Sequence, residues 1–85
     1  MLERGEGSQT VLLLERALEV EPGVENFYRE LMIGYAALGR GTEALATYAR
    51  YLDTLVRDYG VKPSQEIETL YRDIKDSHSS KLEGG

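Results

Sequence analysis

His78 is the only histidine in the chain, and the serines that flank it make it the first candidate for chemistry. A histidine beside a hydroxyl can act as the base that activates a nucleophile, provided that a third group orients the ring. No such group is evident, and residues 77–85 are too polar and glycine-rich to order themselves. We therefore predict that the chain has no catalytic residue.

Metal and cofactor sites have equally little support in the sequence. The chain has no cysteine and one histidine, which leaves no ordinary ligand set for structural zinc. The segment Gly39-Arg40-Gly41 lacks the Lys-Ser/Thr continuation of a phosphate-binding loop. Glu66 and Glu68 could form an acid–base pair, but they follow Ser64 at a helix start, where carboxylates complement the positive end of the helix. We predict neither a metal nor a cofactor.

The chain contains six tyrosines, which could stack on nucleic-acid bases or pack in a core. They recur at helical spacing with leucines, so packing in a helical core is favoured. Tyr51 is the exception, because it stands where a small residue is expected and could pack against a neighbour or a partner. The six are Tyr28, Tyr35, Tyr48, Tyr51, Tyr59 and Tyr71.

Four segments show the apolar spacing of amphipathic helices, and no segment alternates as a strand does. Thr42 and Ser64 are predicted to cap the third and fourth helices. The loops are short, so consecutive helices are predicted to be antiparallel. The sequence therefore predicts an all-α fold with a flexible lead over 1–8, a helical domain over 9–76 and a disordered tail over 77–85. The four predicted helices cover residues 9–21, 24–38, 42–59 and 65–76.

The apolar pattern of the first helix recurs in the third. Val11, Leu14 and Leu18 correspond to Leu45, Tyr48 and Leu52, each 34 residues further along the chain. That period is typical of helix–turn–helix repeats, which stack because one repeat cannot bury its apolar face alone. The sequence predicts four antiparallel helices in a tetratricopeptide-like array, a type of structure that usually binds other proteins.

The segment 25–58 resembles a tetratricopeptide repeat in its aromatic, leucine and alanine positions. It departs from the repeat at Met32, at Tyr51 and at Val56, which replaces the closing proline, so the third helix is expected to continue. The matching residues are Tyr28, Leu31, Tyr35, Ala44 and Tyr48.

The turn Gly60-Val61-Lys62-Pro63-Ser64, followed by Leu70-Tyr71, is not part of a plain repeat. Together with the helix pair before it, this stretch resembles the bacterial transcriptional activator domain of antibiotic-regulatory-type activators. The resemblance covers about residues 12–74 and implies the carboxyl-terminal part of a helical partner module that follows a winged DNA-binding domain.

Two groups of residues are candidates for binding a partner. The first group lies on the face of the second helix that would line the concave side of the array. Within it, Ile33 either contacts a ligand peptide or packs under the fourth helix, and packing is favoured because a small domain needs its apolar residues. The second group is the apolar run of the first helix, which is wide enough to touch two neighbours. The candidates of the first group are Asn26, Arg29, Ile33 and Ala37, and those of the second are Leu12 and Leu13. Tyr51 of the third helix is a further candidate.

Charge and composition narrow the class of partner. The net charge of −5 disfavours contact with a phosphate backbone, so we expect no direct binding of nucleic acid. No apolar run is long enough to span a membrane, and the absence of cysteine fits a cytoplasmic location. The expected function is protein interaction within a transcription regulator, with a second copy, an adjoining domain or RNA polymerase as the partner. A repeat adaptor unrelated to transcription and a small enzyme or enzyme subunit are the alternatives.

Overall fold

Four helices make up the described chain. The computed structural model describes residues 2–84, and the side chains of residues 8–78. The helices are α1 (Leu2–Val20), α2 (Glu25–Ala37), α3 (Gly41–Thr54) and α4 (Gln65–Gly84), and a π-helical turn, Leu55–Tyr59, extends α3. Residues 2–84 contain no strand, so the predicted all-α class is confirmed.

Side-chain pairs show that consecutive helices are antiparallel. Tyr28, near the start of α2, lies against Tyr51, near the end of α3, with 4.6 Å between ring centroids. Tyr48 of α3 stacks on Tyr71 of α4 with centroids 4.2 Å apart. α4 also packs against α2, so it lies in the groove between α2 and α3. This arrangement is that of stacked helix hairpins, as the 34-residue period predicts.

The core consists of the inward stripes of all four helices. Leu31, Met32, Ala44 and Ile67 are fully buried where α2, α3 and α4 meet. Val11 of α1 packs beside Gly34 of α2, where a Cβ atom would lie 3.1 Å from Val11 Cγ2. The glycine therefore lets α1 and α2 approach closely.

Two predicted helix ends were wrong. α1 begins at Leu2 instead of Gln9, and α4 continues to Gly84 instead of ending near Asp76. That residues 1–8 are flexible and residues 77–85 are disordered stays a prediction. Met1 and Gly85, which belong to these two segments, lie outside the described residues.

Of the two predictions for the ends of α3, the one for its start is wrong and the one for its end is confirmed. The predicted Thr42 cap is wrong, since α3 begins at Gly41 after Arg40 and has no side-chain cap hydrogen bond. The predicted continuation to Tyr59 is confirmed, although its last turn is π-helical and closes with the Gly60 N–H donating to Leu55 O at 2.6 Å.

Candidate partner-binding surfaces

Glu25 holds the loop after α3 against the start of α2. Its carboxylate accepts hydrogen bonds from the Tyr51 hydroxyl at 2.8 Å, from the Ser64 N–H at 3.2 Å and from the Ser64 hydroxyl. Ser64 also caps α4, as predicted, because its Oγ accepts a bond from the Ile67 N–H at 3.4 Å. One carboxylate thus joins α2, α3 and the start of α4.

This network sets the ionisation of its members. Partial burial raises the pKa of Glu25, but hydrogen bonds from Ser64 and Tyr51 outweigh burial and leave the pKa below its ordinary value. Burial and the Glu25 carboxylate together raise the pKa of Tyr51. Glu25 therefore stays charged at neutral pH, and Tyr51 stays a hydrogen-bond donor.

The structure does not support the partner role predicted for Tyr51. Its side chain is 4% exposed, and both its ring and its hydroxyl have partners within the chain. A tetratricopeptide repeat has a small residue at this position, and here the larger Tyr51 side chain packs against Tyr28. Glu25, which contacts it, was not singled out by the sequence, since a glutamate in a first helical turn is ordinary.

A second carboxylate, Glu15, links α1 to α2 and α3. It accepts a hydrogen bond from the Tyr35 hydroxyl at 2.8 Å and forms an ion pair with Arg50 at 3.1 Å. Burial raises the pKa of Glu15, but these two partners outweigh burial and lower the pKa below its ordinary value. Glu15 and Glu25 are positioning residues of the stack, and Glu15 also borders an open cleft with Arg50.

The predicted concave-face residues lie on one side of α2. Asn26, Ile33 and Ala37 are exposed, and Ile33 retains 45% of its surface, so the favoured expectation that α4 covers it is wrong. Arg29 is partly engaged, since it donates to Asn26 and pairs with Glu66 of α4 at 3.1 Å. The structure thus brings these four together as a surface, while their partner role stays a prediction.

Apolar side chains of α1 form a second exposed surface. Leu12, Leu13 and Val20 are 63%, 66% and 80% exposed, whereas Val11 and Leu18 of the same helix are buried against α2. The four-residue apolar run therefore has one buried side and one open side. Whether Leu12 and Leu13 bind a partner stays a prediction.

A third exposed group lies at the end of α3. Tyr59 is 56% exposed, so the prediction that it belongs to the core stripe is wrong. Its hydroxyl lies over Gly23, where a Cβ atom would be only 2.0 Å away. The π-helical turn swings Tyr59 toward the α1–α2 turn instead of the core.

His78 lies on α4 and packs on the start of α3. Its Nε2 atom is 3.5 Å from the Thr42 hydroxyl, and its ring occupies the space beside Gly41. The ring borders an open cleft of about 480 Å³ with Asp73 and Ser77. The contact to Thr42 is too long for a strong hydrogen bond, and no described group orients the other ring nitrogen. Among residues 8–78, whose side chains the structure describes, no group of three or more His, Asp or Glu residues could hold a metal ion.

The helical stack and its Gly60–Ser64 turn define a tetratricopeptide-like domain of a particular kind. The chain belongs to the bacterial transcriptional activator domain family, whose family model matches residues 1–75. The resemblance drawn from the Gly60–Ser64 turn and Leu70-Tyr71 is thereby confirmed, and this is a non-enzymatic family.

Two curated relatives belong to mycobacteria. The chain is 31% identical over 70 residues to the transcriptional regulatory protein MoaR1 of Mycobacterium tuberculosis, and equally to MoaR1 of Mycobacterium bovis. The match covers 82% of this chain and 22% of either relative, so the chain spans less than a quarter of their length. No solved structure matches the chain. No helix among residues 2–84 is both long and apolar enough to cross a membrane.

Proposed function

We propose that this chain is a protein-interaction module of a bacterial transcriptional regulator and that it does not itself bind DNA. The observation that carries the proposal is the open side of α1. Leu12, Leu13 and Val20 project from a helix whose other side is already buried, and apolar residues grouped in this way on a surface usually bind another protein. The family and the relatives' role as transcriptional regulatory proteins support the regulatory setting.

The charges of the described chain favour a protein partner over nucleic acid. Proteins that bind DNA direct arginine and lysine side chains at the phosphates. In this chain four arginines pair instead with carboxylates of the same chain. The net charge of the whole sequence is −5. Carboxylates of the same chain thus neutralise these four arginines, which disfavours a phosphate backbone as their partner. The four pairs are Arg29–Glu66, Arg40–Glu43, Arg50–Glu15 and Arg57–Asp53.

The partner belongs to one of three classes in this proposal: a second copy, an adjoining domain of the same regulator, or RNA polymerase. The concave-face residues Asn26, Arg29, Ile33 and Ala37 supply a further contact surface on α2. We also propose a cytoplasmic location, since a regulator works where the transcription machinery is.

A gel-shift titration of the chain against duplex DNA tests the proposal. We expect no retarded complex at low or at physiological salt, because the acidic surface repels phosphate. Tight binding with a steep dependence on salt would overturn the interaction-only role. The gene upstream supplies a second test: a winged DNA-binding segment supports the regulatory setting, whereas further plain repeats would favour an adaptor unrelated to transcription.

A further inference from the structure

We propose that one strip of the open side of α1, formed by Leu13, Ala17 and Val20 and leaving out Leu12, binds an amphipathic helix of the same kind as α2, laid antiparallel along α1. This inference deepens the proposed interaction function by assigning one surface and the chemistry of its occupant. The partner helix carries aromatic or long aliphatic side chains at the spacing of Tyr28, Leu31 and Tyr35.

The internal repeat supplies the main support, because α3 has two buried sides and α1 has one. On one side of α3, the Tyr51 ring packs against the Tyr28 ring of α2 at a tilt of 33°, and the Thr54 hydroxyl lies 3.4 Å from the Tyr28 hydroxyl. On another side, Tyr48 stacks on Tyr71 of α4. A helix of this type therefore packs between the helix that precedes it and the helix that follows it.

In α1, only the side that corresponds to the Tyr48 side of α3 is covered by another helix. Val11, Leu14 and Leu18 correspond by the 34-residue period to Leu45, Tyr48 and Leu52. Val11 packs beside Gly34 of α2, and Tyr48 in the corresponding stripe of α3 packs on Tyr71 of α4.

The uncovered side of α1 corresponds to the α3 side that α2 covers. Leu13, Ala17 and Val20 match Thr47, Tyr51 and Thr54 in the 34-residue register. Those α3 residues are 1%, 4% and 7% exposed, whereas Leu13 and Val20 are 66% and 80% exposed. The repeat thus places an α2-like helix at a position that no described helix occupies.

Glycines in the first turns of α1 continue the same register. Gly39 ends α2 with φ of 78°, and Gly41 begins α3. Gly5 and Gly7 stand 34 residues earlier, followed by Ser8 where α3 has Thr42. Two glycines within a helix each cost about 1 kcal/mol relative to alanine, but they suit a turn between two helices. We infer that residues 5–6 can serve as the turn between α1 and a helix placed before it, in which case α1 starts at Gly7 instead of Leu2.

Helices α2 and α4 of a second copy are poorly suited to this side of α1, so copies of the chain should associate there only weakly. The apolar side of its α2 is already buried against α3, since Leu31 and Met32 are 0% exposed. The groove beside Tyr71 on its α4 is lined by charged side chains, including Glu68, Arg72 and Lys75. Neither surface offers the uncharged aromatic and aliphatic groups that Leu13 and Val20 require.

A grafted chain tests the proposal directly. A copy of residues 24–40 is placed immediately before Gly7, which reproduces the α2 helix and its turn in the 34-residue register. Since the natural chain has no cysteine, single cysteines report on one position at a time. Thiol labelling of Leu13→Cys is compared between the 85-residue chain and the grafted chain. We expect the graft to slow labelling about tenfold or more, because the helix buries this position.

Leu12→Cys is the matched control. Leu12 is as exposed as Leu13, but its counterpart Ala46 stays exposed beside α2, so the graft should leave its labelling rate nearly unchanged. A second graft, with the copies of Tyr28 and Leu31 changed to Ser, should protect neither cysteine. Circular dichroism establishes that each grafted chain is folded, and a peptide of residues 24–38 added to the 85-residue chain repeats the test without a graft.

Three results would overturn the proposal. One is equal labelling of Leu13→Cys with and without both the graft and the peptide. Another is equal protection of both cysteines. The third is a stable dimer of the ungrafted chain in which Leu13→Cys is labelled as slowly as in the grafted chain, which would assign this side of α1 to a second copy. None of these measurements involves DNA or polymerase, so their failure is distinct from failure of the proposed function.

Discussion

Individual side chains tie the helices together through two carboxylates. Glu25 receives bonds from Tyr51 and Ser64, and Glu15 receives bonds from Tyr35 and Arg50. Each joins elements that are distant in sequence, and each has a pKa below its ordinary value because its partners favour the charged form. These residues hold the array in register.

The stability of the fold should therefore fall in acid. The pKa of Glu25 is lower in the folded than in the unfolded chain, so its charge stabilises the fold above its ordinary pKa of 4.5, and this contribution is lost as the pH falls through the folded pKa. Glu25→Gln should reduce the free energy of unfolding by about 1–2 kcal/mol at pH 7 and make it less sensitive to acid. Urea unfolding monitored by circular dichroism at several pH values measures both effects.

Glu30→Gln is the matched control, since Glu30 is exposed on the same helix. It should change stability by a few tenths of a kcal/mol at most. If Glu25→Gln were equally mild and left the pH dependence unchanged, the carboxylate network would not stabilise the fold.

The π-helical turn is the main departure of any single element from a plain repeat. Within this turn Val56 stands where a tetratricopeptide repeat has its closing proline, so the helix continues and the connection to α4 is longer. Gly60 ends the turn with φ of 66°, a conformation that residues with a Cβ atom rarely adopt. The element thus combines continued α3 packing at Leu55 with a sharp exit of the chain.

Gly60→Ala should destabilise the domain by about 1–2 kcal/mol through backbone strain alone. No atom lies within 4 Å of the position that a Cβ would take, so a clash would not contribute. Gly60→Asn should cost less, because asparagine tolerates this conformation better. Urea unfolding of both variants checks the order, and an alanine variant as stable as the natural chain would contradict it.

The two ends of the whole array differ in character. α1 presents the apolar side chains Leu12, Leu13 and Val20, whereas α4 presents charged side chains next to Tyr71. Repeat arrays end in polar helices where they meet solvent and in apolar ones where they continue or bind. The α4 end therefore has the polar character of a surface that meets solvent, and the α1 end has the apolar character that the proposed interaction requires.

The isolated chain should self-associate weakly through α1 at high concentration. Light scattering over a wide concentration range should show a rising mean mass, because uncovered leucines are removed from water when copies meet. Leu13→Glu should suppress the rise, while Ala46→Glu, which adds the same charge on the exposed side of α3, should not. A strictly monomeric natural chain, or equal behaviour of the two variants, would contradict association through α1.

The sequence by itself determined the helical class, the order of the helices, the 34-residue repeat and the family. Apolar periodicity and turn residues act over a few neighbours, so Pro22-Gly23, Gly39 and Gly60 could be placed without a structure. Ser64 was recognised as a cap for the same reason. The local pattern could not fix the outer ends of α1 and α4.

Only the tertiary structure decided which side chains are free. Tyr51 turned out to be buried and Tyr59 exposed, although both have the same residue type and lie on the same predicted helix. Their difference arises from Tyr28, Glu25 and Gly23, which the fold brings near them from another part of the chain. The exposure of a side chain depends on residues of other helices that pack against it, and the sequence of a single helix does not identify those residues.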